Sequence, residues 1–158
     1  MDIEGVIKFN NSHEVRPDCD GNRDLCGLIA WRHILAHLSL IGQDAERYDG
    51  AGYGNLSARI APFPGERGRR RFLISGTQTG GYRCLSGEDF ACVESYNIAE
   101  NSVKSHGPMQ PSSESLTHAA VYDLSSSIRV VLHVHSPLLW RRAQKLRIPQ
   151  TRAEVAYG

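Results

Sequence analysis

Two histidines, His133 and His135, stand two residues apart in the run Ile128-Arg-Val-Val-Leu-His-Val-His-Ser136. In an extended strand, residues i and i+2 share a face and lie about 6.6 Å apart along the chain. Two imidazoles so placed can lean onto one divalent ion, each holding it at about 2.0–2.1 Å. The alternate residues Ile128, Val130, Leu132 and Val134 are predicted to fill the opposite face and anchor the strand in a core. Two imidazoles supply two ligands, and a metal needs more.

Glu114 is the second reactive group, following Pro111-Ser-Ser at the start of a helical pattern. A glutamate near a metal-bound substrate is a candidate general acid/base. The same segment has a purely structural use. Ser112 or Ser113 can cap the helix, and Glu114 suits the positive end of its dipole. His118 lies one turn further on, so carboxylate and imidazole are expected to meet. The helix start, with its free N–H groups and two hydroxyls, is also a ready anion site. Two glycine-rich turns, Gly52-Tyr-Gly-Asn-Leu-Ser57 and Ser75-Gly-Thr-Gln-Thr-Gly80, can add donors. Neither is a dinucleotide fingerprint, which needs strand, turn and then helix, and there is no GxxxxGK[ST] loop. His33 and His37 lie four apart on a helix but have no carboxylate of the HExxH type between them.

These residues need elements to position them. Residues 3–9 read as a short strand and 10–24 as a polar loop. Residues 26–40 carry Leu28, Ile29, Trp31, Ile34, Leu35 and Leu38 at helical spacing, with Asp24 as a cap and Gly42 as a stop. Leu56–Ile60 and Arg71–Ser75 read as strands around a Pro- and Gly-rich loop. Its arginines Arg67, Arg69, Arg70 and Arg71 read as a solvated tip, since no aromatic residues interleave them. Phe90–Glu94 reads as a strand, 97–109 as loop, 111–124 as helix, and 138–146 as a basic helix after Pro137. Strands alternating with three helices predict one layered α/β or α+β domain over 1–158.

The chain has 158 residues, enough for one domain with a real core, and a formal net charge of +1, so nothing global points to nucleic acid or a membrane. Hydrophobic residues make up 41% and charged residues 22%, the balance of a globular protein. Cys19, Cys26, Cys84 and Cys92 have no CxxC spacing. Reduced thiols, an acidic start without an apolar leader and no membrane-length apolar run predict a cytoplasmic protein.

Taken together, the order G-x-G-N-x-S, I-S-G-T, P-S-S-E-x-x-x-H and H-x-H-S resembles the class II aldolase/adducin family over roughly residues 26–158. Its members include fuculose-phosphate aldolase, ribulose-phosphate epimerase and methylthioribulose-phosphate dehydratase. The resemblance implies an α/β/α layered fold around a mainly antiparallel sheet, a homo-oligomer (a tetramer with sites at subunit interfaces) and a zinc ion. It makes His133 and His135 two of three metal ligands and Glu114 the catalytic carboxylate. It puts Asn55, Thr77, Ser112 and Ser113, with Ser57 and Gly80, around a substrate phosphate. Gln78 departs from the Thr-Gly pair of the sugar-phosphate aldolases. The implied third histidine lies downstream of the match to Ala153–Gly158, so the chain reads as truncated relative to the family. The expected function is a zinc-dependent aldolase-type lyase acting on a small phosphorylated ketose through a metal-stabilised enediolate. The alternatives are a non-catalytic adducin-like or degenerate module, and a family dehydratase or epimerase.

Overall fold

The computed structural model describes residues 6–19 and 24–149. Eight strands and three α-helices follow in the order β1 (Asn10–Val15), α1 (Leu25–His37), β2 (Gly42–Gln43), β3 (Gly52–Tyr53), β4 (Asn55–Arg59), β5 (Phe72–Ser75), β6 (Phe90–Asn97), β7 (Ser102–Gly107), α2 (Ser115–Leu124), β8 (Val130–His133) and α3 (Pro137–Lys145). Six strands form one mixed sheet in the order β1-β7-β6-β5-β4-β8, and β2 pairs with β3 apart from it. Only β1 and β7 run parallel within the large sheet. The result is a mixed α/β fold.

Alternation along the strands divides the core. Phe72, Ile74, Ala91 and Val93 pack with Leu116, Ala119 and Tyr122 of α2. Leu56, Ala58, Leu73 and Cys92, which point the other way, pack with Leu28 and Leu35 of α1. Each buried Leu, Ile or Phe contributes about 1.5–3 kcal/mol, so these two clusters hold α1 against one face of the sheet and α2 against the other.

Several expectations shift. The strand expected over 3–9 is absent from residues 6–9, residues 3–5 lie outside the described ones, and β1 follows instead at Asn10–Val15. Its polar sequence reads as loop, but pairing with β7 at the sheet edge supplies the ladder that propensity does not. The loop expected over 97–109 holds β7, another polar strand made by its neighbours on both sides. Asp24 occupies the N-cap of α1 without a side-chain cap bond.

The histidine strand ends at His133, before His135. Among the described residues it is the sheet edge, paired with β4 alone. Val130 and Leu132 face the α1 side but remain 49% and 40% exposed, because α1 covers Leu56 and Ala58 and stops short of β8. Ile128 and Val131 pack against the α2-side cluster and Val134 against the other. No disulfide joins any of the four cysteines among the described residues. No helix among the described residues is long and apolar enough to cross a membrane.

Candidate functional site

One cleft of about 390 Å³ gathers most of the expected residues: Asn55, Thr77, Gly80, Ser112, Ser113, Glu114, His133 and His135 all line it. Ser57 does not. Its hydroxyl is buried 2.7 Å from His118 Nδ1 and 2.7 Å from the Tyr122 hydroxyl. Asn55 and Ser57 share a face of β4. Asn55 opens the strand at the cleft, whereas Ser57 lies two residues further along, roofed by α2.

The two imidazoles come together as the spacing predicts, with ring centroids 4.8 Å apart. Cross-strand register sets Asn55 opposite His133, and Asn55 Nδ2 lies 3.4 Å from His133 Nδ1. Asn55 Oδ1 is buried with no hydrogen-bond partner. Amide and imidazole orientations are assigned from such contacts. With the amide turned over, Oδ1 would accept a hydrogen bond from His133 Nδ1–H and leave Nε2 as the free nitrogen. That is the support a metal-binding imidazole ordinarily receives.

His135 lies beyond the strand and is held by other means. Its backbone N–H donates to Leu40 O at 2.9 Å. Its ring stands edge-on to Tyr48, with centroids 4.8 Å apart, and against Tyr53 at 5.5 Å. The Arg47 guanidinium lies 4.1 Å from the Tyr53 ring centroid, donates to the Tyr53 hydroxyl at 2.8 Å and donates to His135 O at 3.3 Å. Burial, then the neighbouring His133 and Arg47, lower the His135 pKa to about 4. At neutral pH the ring is therefore uncharged and its lone pair is available to a cation.

The donor set suits a divalent metal as far as it goes. Among the described residues no group of three or more His, Cys, Asp or Glu side chains could hold one. Two imidazoles would carry the ion, with remaining positions for water or substrate oxygens.

Glu114 sits at the N-cap of α2 with no side-chain cap bond. Ser112 takes the structural part: its Oγ accepts from Glu114 N at 3.2 Å. Thr117 Oγ1 donates to Glu114 Oε2 at 2.9 Å. The expected meeting of Glu114 with His118 does not occur. His118 is fully buried and turned to Ser57, and burial, with His133 nearby, lowers its pKa to about 3.

The second glycine turn forms the opposite wall. Thr77 N donates to Gln110 O at 3.0 Å, and Thr79 Oγ1 donates to Gly76 O at 2.9 Å. Gly76 and Pro111 form a β-bridge, tying this turn to the approach to α2. Gln78 is exposed at the cleft with φ 58°, in the left-handed region. Arg32, Arg47 and Tyr53 escaped sequence reasoning. A Tyr between two glycines and an Arg in a helical pattern carry no signal of what they will touch.

His33 and His37, by contrast, stand exposed with rings stacked 6.2 Å apart, away from the cleft. Residues 35–157 match the model of the family described as Class II Aldolase and Adducin N-terminal domain. No curated protein and no solved structure matches the chain significantly. With a match over most of its length, the chain belongs to that family.

Proposed function

We propose that this class II aldolase/adducin-family domain is a zinc-dependent aldolase-type lyase acting on a small phosphorylated ketose. The observation that carries the reading is the sharing of one cleft by the Glu114 carboxylate, two converging imidazoles and a wall of hydroxyl and backbone donors. His133 and His135 would hold the ion. When bound, it supplies Lewis-acid polarisation of the substrate carbonyl and neighbouring hydroxyl. Ser112, Ser113, Thr77 and Asn55 orient the substrate. The N-terminus of α2 favours its anionic group at that end of the cleft. Glu114 Oε1 takes the hydroxyl proton as the carbon–carbon bond breaks and returns a proton to the carbon left behind. Thr117 meanwhile fixes the other carboxylate oxygen.

The test is Glu114→Gln. Turnover is expected to fall by about 10²–10⁴-fold with zinc content unchanged. Unchanged turnover would remove Glu114 from this role. A product assay over several ketose phosphates separates the aldolase from a dehydratase or epimerase with the same cleft.

A second reading, a non-catalytic adducin-like module, is favoured by one observation: no third metal-holding side chain joins the histidines among the described residues. Zinc per chain after gentle purification separates the two. Near-stoichiometric metal supports the enzyme, and a small fraction supports the module. The half-exposed Trp31, Ile34, Val130 and Leu132 support assembly with further copies of the chain, a tetramer by family resemblance, which light scattering would read. Four cysteines without a disulfide support a reducing compartment, the cytoplasm.

A further inference from the structure

Arg32 is a charged residue at a helix position that is 4% exposed. Its Nη2 donates to Thr79 O at 3.1 Å and to Gly80 O at 2.9 Å. No carboxylate pairs with it among the described residues, and burial lowers its pKa. A buried cation with only carbonyl partners is costly to keep. A position that asks only for packing is met by leucine or methionine.

The two carbonyls belong to the turn that walls the cleft. A peptide is planar and trans, so a carbonyl turned towards Arg32 turns the next N–H away from it. Arg32 therefore orients the Gly80 and Gly81 N–H groups together. Among the described residues no lysine or arginine lines the cleft itself. Positive potential for an anion must come from N–H groups, from the start of α2, and from charge set behind the wall.

We infer that Arg32 is a positioning residue for the substrate's anionic group, a phosphoryl or carboxylate. It holds the Thr79–Gly80 peptides in their binding orientation and places a buried positive charge behind them. This rests on the reading of the cleft as a lyase site with an anion-binding end.

The test is calorimetric titration of the full chain and of Arg32→Met and Arg32→Lys with inorganic phosphate and, separately, acetate, at two NaCl concentrations. The anion that the unaltered chain binds more tightly identifies the substrate group as phosphoryl or carboxylate. Arg32→Met should weaken that binding by about tenfold or more. It should also flatten its salt dependence, which a merely structural prop would not do. Arg32→Lys, which keeps the charge but withdraws the Nη2 that donates to both carbonyls, should fall between. Binding within about twofold of the unaltered chain in both variants overturns the inference alone. So does a loss in Arg32→Met with an unchanged salt slope. Should Arg32→Met prove unfolded by circular dichroism, Arg32→Lys alone decides by the same affinity criterion. If the unaltered chain binds neither anion, the anion-binding reading falls and this inference with it.

Discussion

Gly52 and Gly80 bring the two glycine-rich turns together backbone to backbone. A Cβ on Gly80 would lie 2.6 Å from Gly52 Cα and 2.5 Å from Gly42 O, both main-chain atoms that cannot rotate aside. This contact sets the spacing of the cleft walls. Gly80→Ala should therefore destabilise by about 1–3 kcal/mol, at about 2–4 °C of melting temperature per kcal/mol for a chain of this size. It should also weaken anion binding. Gly27→Ala is the control. Gly27 is helical with nothing within 4 Å of an added Cβ, so it should gain about 0.4–1 kcal/mol. Thermal melts of the two variants moving in the same direction would contradict this account.

Ser57 bonds to His118 and Tyr122 and does not line the cleft. Ser57→Ala removes the hydroxyl that joins His118 to Tyr122; Tyr122 keeps its backbone hydrogen bond with Val131, but the buried His118 Nδ1 loses its partner. A loss of about 1–3 kcal/mol is expected in urea unfolding, with phosphate affinity in the cleft preserved. Loss of phosphate binding at unchanged stability would instead return Ser57 to the substrate site.

His118 gives the fold a pH dependence. Its folded pKa, about 3, lies below the usual 6.5 because the ring is buried. Between those values the unfolded chain binds a proton that the folded chain refuses, so stability rises with pH there. The contribution is fully present above about pH 6.5 and is lost progressively as pH falls towards 3. The urea midpoint measured from pH 7.5 to 4 should fall less steeply in His118→Gln than in the unaltered chain.

Gln78 stands at φ 58°, where a side chain crowds its own backbone. Gln78→Gly should raise the urea midpoint by the equivalent of about 0.5–1 kcal/mol and leave zinc content unchanged. Because the side chain borders the cleft, the relative turnover of competing ketose phosphates should shift as well. Unaltered preference would mean that the amide does not touch substrate.

Helix α1, the strand pair β4–β5 and helix α2 were legible because apolar spacing and turn residues agree with the final packing. β1 and β7 were not, because Asn10–Val15 and Ser102–Gly107 carry polar side chains and become strands through their neighbours' hydrogen bonds. The site divides the same way. His133 and His135 could be joined from their spacing, since period-two geometry is local. The expected meeting of Glu114 with His118 failed because α2 turns His118 inward onto β4.

By itself the sequence determined the chemistry available: a pair of imidazoles, a carboxylate after two serines, and two glycine turns in the order of one family. These are properties of residue type and short-range spacing. Tertiary structure decided which residues share the cleft. It sent Ser57 under the helix, left Asn55 at the strand's open end against His133, and set Arg32 behind Gly80. Those outcomes depend on which strands pair and what each helix covers, contacts between segments tens of residues apart that no local pattern encodes.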